Sequence, residues 1–243
     1  MNTLYQFGVS HYCEKARWAM DYKGLPYRPR NLLPGPHIKQ IKKIAPDIIV
    51  PVLKSGNTVI QGSDKIIDYL DHHIAENQLT PGNPDDAKLS YELEAFAANN
   101  IGNPLRCLLY HELLEYPKRL IPVLTHQGPF YGALLYRFIY PKLKQRMRSG
   151  MKINDDTAAQ ARITVNDGIK TLETQIANKQ YLVGNSFSRA DLSVASMLAP
   201  LVWPKNSWFI WTENLPANIV DYRNSCLTSP LFDWVDNVYA LHR

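Results

Sequence analysis

The chain has 243 residues, 45% of them apolar, with 27 basic against 22 acidic side chains and a formal net charge of +5. That length accommodates one large domain or two small ones with real cores, and the composition excludes disordered, collagenous and disulfide-scaffold classes. The three cysteines, Cys13, Cys107 and Cys226, are odd in number and far apart, which fits free thiols in a reducing cytoplasm.

In chain order, residues 4–7 read as an apolar strand, and the spacing predicts an amphipathic helix over 11–23 closed by Gly24-Leu25-Pro26. A second strand is expected over 27–32 and a short basic helix over 36–44. Residues 51–54 and 58–60 predict a hairpin around Ser55-Gly56-Asn57. Residues 64–75 then predict a helix with Ile66, Ile67, Leu70 and Ile74 on one face. The polar, turn-rich run 78–86 reads as a linker. Beyond it the texture is helical, with helices expected over 87–101, 105–114, 131–150, 155–177, 190–198 and 231–242. Before the fifth of these, Ser188 and Asp191 have the spacing of a capping box, with Phe187 and Leu192 placed as a hydrophobic staple.

Three segments carry a resemblance. Leu4-Tyr5-Gln6-Phe7 runs into Ser10-His11-Tyr12-Cys13-Glu14-Lys15-Ala16-Arg17. Val50-Pro51-Val52-Leu53 follows, then Ile60-Gln61-Gly62-Ser63-Asp64 opens a helix. Together they resemble the thioredoxin-like half of the cytosolic glutathione transferases, closest in motif to serine-using, theta-like bacterial members. Tyr181-Leu182-Val183-Gly184 with the capping box, and Pro230-Leu231-Phe232-Asp233-Trp234-Val235 with Tyr239, are similar to that family's C-terminal folding motif and last helix. The resemblance implies an α/β thioredoxin-like N-terminal domain over 1–77, a linker over 78–86, and an all-α C-terminal domain over 87–243 that completes an electrophile pocket.

The chemistry to be explained is thiol activation. Free glutathione has a thiol pKa near ~8.5 and is only slightly ionised at neutral pH. A hydroxyl at a helix N-terminus stabilises the thiolate by donating to sulfur beside positive backbone dipoles. Ser10 stands where serine-using relatives carry that donor. Cys13 and Tyr5 are the alternatives: Cys13 matches the second cysteine of a glutaredoxin pair, or packs as a small buried hydrophobe, and Tyr5 lies on the first strand, where several classes carry a tyrosine. By the same resemblance Val50 and a cis Pro51 present backbone to the cysteinyl part of reduced glutathione, the co-substrate. Ser63 and its N–H hold the γ-glutamyl carboxylate. Gly62 replaces the family's usual acidic or Gln residue, so Gln61 or Asp64 is expected to meet the γ-glutamyl amine, and His37 or Lys39 the glycyl carboxylate. Arg106, Tyr110, His111, Phe130, Tyr131, Tyr136 and Tyr140, with Trp203, Trp208 and Trp211 as a second cluster, are candidates for the pocket of an unidentified hydrophobic electrophile.

Other classes lack their residues. The basic runs at 39–43 and 142–148 come without a nucleic-acid-binding motif. No signal peptide or membrane span is expected. His72 and His73 are adjacent on a helix and make a poor chelate, so no metal is expected. The resulting expectation is a cytoplasmic, homodimeric glutathione transferase. A glutathione-dependent isomerase, dehalogenase or peroxidase, and a non-catalytic interaction module on the same fold, stand as alternatives.

Overall fold

The computed structural model describes residues 1–177, 179–209, 211 and 215–243. The first half runs β1 (Asn2–Gln6), α1 (His11–Tyr22), β2 (Tyr27–Asn31), α2 (His37–Ile41), β3 (Val52–Ser55), β4 (Thr58–Gln61) and α3 (Ser63–His73). The sheet order is β2-β1-β3-β4, with β1 parallel to β2 and both other pairings antiparallel. Leu4 sits opposite Leu53 in this register, and both are fully buried. This is the thioredoxin-like α/β arrangement expected from the order of elements.

The second half is helical: α4 (Pro84–Phe96), a π-helical turn (Ala97–Gly102), α5 (Asn103–Leu113), α6 (Pro117–Thr125), α7 (Gly132–Gly150), α8 (Asp155–Ile176), α9 (Arg189–Val202), α10 (Ala217–Cys226) and α11 (Pro230–His242). Helices expected separately over 87–101 and 105–114 are one continuous run broken by the π turn. Pro104 has no N–H to offer the preceding turn, and Asn103 N–H bonds back to Ala98 C=O. Two helices went unforeseen, α6 and α10. Proline opens α6 at Pro117, lies inside it at Pro122 and precedes α10 at Pro216, so both segments read as breakers rather than helix starts. Asn83 Oδ1 accepts from the N–H groups of Asp85 and Asp86 and starts α4 at Pro84, so residues 74–83 connect the halves.

Helix α9 is buried along its entire length and packs against α1, α4 and α11. The Asp191 carboxylate at its start accepts from Ser188 N–H and O–H, both at 2.8 Å, and from Leu182 N–H at 2.7 Å. Trp18 of α1 stacks on Phe187 and Tyr239, and its Nε1 donates to His242 C=O at 2.7 Å, which docks the chain's last helix onto its first.

Two buried polar clusters join the halves. Glu94 of α4 accepts from Lys15 of α1 and from Arg189 Nε at 2.7 Å, while Arg189 also reaches Asp68 of α3 at 2.7 Å. Lys23 pairs with Asp71 at 2.8 Å, and Asp71 accepts from Leu79 and Thr80 N–H, pinning the connecting segment. Burial alone would push the Asp71 carboxyl up, but bonds from Lys23, Leu79 and Thr80 outweigh it and hold the group below its ordinary value.

Ser188→Ala removes one donor to a buried carboxylate and is expected to destabilise by roughly 1–2 kcal/mol, read as a Tm lower by several degrees; an unchanged transition would refute the capping role. A depressed carboxylate contributes stability above the unfolded pKa of about 4 that is lost as pH falls through the lower folded value. Asp71→Asn is therefore expected to lower urea stability at neutral pH, with the gap from wild type closing as pH falls below the ordinary aspartate range. A gap independent of pH would dissociate the pair from folding.

Candidate active site

The site is built on the loop from β1 into α1. Ser10 is the N-cap of α1, its Oγ accepting from Cys13 N–H at 3.3 Å. Arg17, one turn into the helix and buried, fixes that loop from below. It donates to Gln6 Oε1 at 2.8 Å, Gly8 C=O at 3.2 Å and Glu14 Oε2 at 2.8 Å, with its guanidinium 4.7 Å from the Trp208 ring. Above the loop opens a cleft of about 730 Å³ between the two halves. Ser10, His37 and Val50 line it from the first half, and Arg106, Tyr110 and α7 from the second.

The remaining expected site residues lie outside the cleft wall. Cys13 is fully buried, its sulfur accepting from Phe7 N–H at 3.5 Å. Burial pushes that thiol up, against the opposing pull of Arg17, Phe7 N–H and Ser10. Tyr5 packs on the small apolar group of Leu32, Ile41 and Val52, with the Arg30 guanidinium 5.3 Å from its ring. Gln61 is engaged elsewhere: its Nε2 donates to Asp47 C=O and Ile49 C=O, both at 2.9 Å, and its Oε1 accepts from Asp47 N–H. It fastens the loop ahead of the Val50–Pro51 bond, which is cis.

His37 is engaged too. Its Nδ1 accepts from Gly35 N–H at 3.0 Å, which makes Nε2 the protonated nitrogen that donates to Ile48 C=O at 2.9 Å. Burial lowers its pKa, and the ring packs edge-on against Phe7.

Around α3 the geometry is more open. Gly62 N–H donates to Pro51 C=O at 3.0 Å, which sets the first turn of α3 directly beside the Val50–Pro51 segment. Gly62 has φ +106°, a conformation suited to glycine. A Cβ at Gly62 would fall 2.7 Å from Asp64 Oδ1, so the Asp64 carboxylate already occupies the space of a residue-62 side chain. No side chain caps this helix, and Ser63 lies within its first turn rather than at the cap.

The expected electrophile residues divide by position. Arg106 and Tyr110 line the cleft, as does Trp211, whose Nε1 donates to Pro200 C=O. Tyr136 and Tyr140 instead staple helices through bonds from their hydroxyls to Pro34 C=O and Leu114 C=O. His111 pairs with Asp155, Trp203 stacks under Arg223, and Phe130 and Tyr131 are exposed. The sequence reading missed two features. Helix α7 brings Ile139, Leu143 and Met147 into the cleft, legible only as one long amphipathic helix. His11 is buried, with Nε2 lacking a hydrogen-bond partner among the described residues. Burial first, then the Arg106 charge, lower its pKa to about 3. Among the described residues no three His, Cys, Asp or Glu side chains converge to hold a metal ion, and no helix is long and apolar enough to cross a membrane.

Comparison with known proteins agrees with this geometry. Residues 4–78 match the family model for the glutathione S-transferase N-terminal domain. Glutathione S-transferase 1 of Dianthus caryophyllus is 34% identical over 115 residues, 46% of this chain and 52% of its own length. The chain thus spans about half the length of the curated relatives it matches. Among solved structures, a glutathione S-transferase from Rhodospirillum rubrum F11 superposes with a TM-score of 0.65 at 18% identity, over 99% of this chain and 87% of that one. The theta class enzyme of Xanthomonas axonopodis pv. citri, with glutathione bound, gives a TM-score of 0.60 at 16% identity, over 96% and 95% of the two chains. At these identities the structures establish a shared fold.

The positions of the thiols are directly checkable. Under native conditions iodoacetamide is expected to alkylate the half-buried Cys107 first and to reach Cys13 only on unfolding. Peptide mapping that finds Cys13 modified as fast as Cys107 would return it to the list of nucleophiles.

Proposed function

We propose that this chain is a member of the cytosolic glutathione transferase superfamily, a reading supported by the match over residues 4–78 and by the shared fold, and that it binds reduced glutathione along Ser10, Val50 and the first turn of α3. Ser10 then activates the thiol for attack on an apolar electrophile in the adjoining cleft. The observation that carries this reading is the state of Ser10. It is half-exposed in the cleft wall at the N-terminus of α1, its oxygen accepts from Cys13 N–H, and its hydroxyl also acts on the buried Cys13 thiol beneath it. That hydroxyl already serves one sulfur, and a rotation about its Cα–Cβ or Cβ–Oγ bond turns it to a second sulfur bound in the cleft.

A donated hydrogen bond and the α1 dipole both favour the thiolate over the thiol. Together they lower the bound thiol by about one to two pKa units, each unit corresponding to about 1.4 kcal/mol. The thiol proton leaves to solvent, sulfur forms a bond to the electrophilic carbon, and the leaving group departs with its electron pair. The Ser63 and Asp64 N–H groups, uncapped at α3, hold the γ-glutamyl carboxylate. With Gln61 engaged by the loop, the Asp64 carboxylate meets the γ-glutamyl amine. The Val50 backbone pairs with the cysteinyl residue, as an added strand would. The Gln61 and His37 bonds keep that backbone in place. An isomerase, dehalogenase or peroxidase would use the same thiolate, and product analysis separates them. Three unpaired thiols support a reducing cytoplasm, and a homodimer, readable by light scattering, completes the proposal.

Calorimetric titration with reduced glutathione is expected to give a Kd between about 1 μM and 1 mM. Ser10→Ala is expected to retain that affinity, to move the kcat/KM pH profile upward by at least about one unit, and to lower the rate at neutral pH by about tenfold. Asp64→Asn is expected to weaken binding without moving the profile. No heat of binding would sink the transferase reading, and an unmoved profile in Ser10→Ala would sink the role of Ser10.

A further inference from the structure

The cleft is apolar over most of its wall, yet its charges all have one sign. Arg106 from α5 and Lys142 and Arg146 from α7 line it, and no Asp or Glu among the described residues does. The contrast within α7 is informative. Lys144 and Arg148 both pair with Glu115 at 2.5 Å. Lys142 and Arg146, four residues apart and so on one helix face, have no carboxylate partner among the described residues and flank the cleft instead.

The cations stand at two ends. Helix α7 packs over the segment before α2: Tyr136 bonds Pro34 C=O at 2.6 Å, and a Cβ at Gly35 would touch Leu143. Lys142 and Arg146 therefore belong to the side of the cleft nearest α2, where they can receive a carboxylate of glutathione. Arg106 belongs to the opposite wall, near Ser10. Its charge acts on His11, Tyr12 and Tyr110 together. Among the described residues its one hydrogen bond is a 3.3 Å contact to the amide oxygen of Asn103, which leaves most of its donor fork without a partner there. Tyr110, one turn on from Arg106 in α5, and the edge-to-face pair Phe209 and Trp211 line the same cleft with aromatic surface.

We propose that the second substrate is an aryl carboxylate, its ring among Tyr110, Phe209 and Trp211 and its carboxylate on the Arg106 guanidinium, with Arg106 the residue that determines this specificity. A half-buried guanidinium with no carboxylate partner among the described residues, lining an apolar cleft, binds a planar carboxylate bidentately and is poorly served by a neutral ligand. The inference rests on the transferase reading for the purpose of the cleft, but its test needs no turnover.

The experiment is calorimetric titration of the full chain with biphenyl-4-carboxylate and with the neutral biphenyl-4-carboxamide, in wild type, Arg106→Gln and Arg106→Lys. Wild type is expected to prefer the carboxylate by at least about tenfold. Arg106→Gln is expected to abolish that preference while keeping its affinity for the carboxamide, and Arg106→Lys to restore part of it. Equal binding of the two ligands by wild type, failure of both to bind at millimolar concentration, or a preference that survives Arg106→Gln would each overturn the proposal. So would an equal loss of both ligands in Arg106→Gln. Glutathione is titrated separately: a carboxylate preference intact in a chain that does not bind glutathione removes the transferase reading and leaves the anion site standing.

Discussion

Glu94 is the residue on which the relative placement of everything else depends. Its buried carboxylate takes Lys15 from the first helix of the thioredoxin-like half and Arg189 from the central helix of the other. A charge buried this deeply persists only when paired, and removing one partner typically destabilises by about 3–5 kcal/mol, because the survivor is left uncompensated. The cluster thus allows one docking of α1 against α4 and α9. Since Ser10 opens α1 and Arg106 lies on the continuation of α4, the same ion cluster sets the width of the cleft between them.

Close approach at the π turn finishes that placement. Gly102 has no side chain where a Cβ would lie 2.5 Å from Met197 Sδ and 3.0 Å from the Tyr12 hydroxyl. The turn can therefore press against both the buried helix and Tyr12 at the start of α1. The Tyr12 hydroxyl lies 3.2 Å from Ala98 C=O and 3.0 Å from Asn103 Oδ1 across that contact. A π turn repositions a helix face by a fraction of a turn; here it directs Arg106 and Tyr110 at the cleft.

Several polar residues expected at a ligand also bond to the backbone around the cleft. Gln61 and His37 converge on the loop of Asp47, Ile48 and Ile49 and hold it by its carbonyls. Arg17 does the same for the loop below Ser10. Backbone that must face a ligand cannot satisfy itself in a ladder, so neighbouring side chains satisfy what remains of it. This distribution leaves Ser10 and Arg106 as polar side chains of the cleft wall, with Asp64 outside that wall at the first turn of α3.

Local rules were enough to read much of this chain from its residues alone. Alternation and turn chemistry marked the βαβ unit and the hairpin. The spacing of Ile66, Ile67 and Leu70 marked the buried face of α3, and the Ser188–Asp191 interval marked the start of α9. These are short-range effects, decided within a turn or a pleat. The proline-bounded α6 and α10 were lost for the same reason, since the local signal for a breaker and for a first helical turn is the same residue. What only the tertiary structure decided is which polar groups are already engaged. Gln61 and Asp64 are equivalent candidates on paper, three residues apart, and they separate only because the loop at 47–49 folds back onto one of them. Cys13 and Ser10 lie one helical turn apart, yet burial takes the thiol from the cleft and leaves the hydroxyl in it. Hydrogen-bond satisfaction and desolvation depend on residues distant in the chain, and the sequence by itself determines them only by folding.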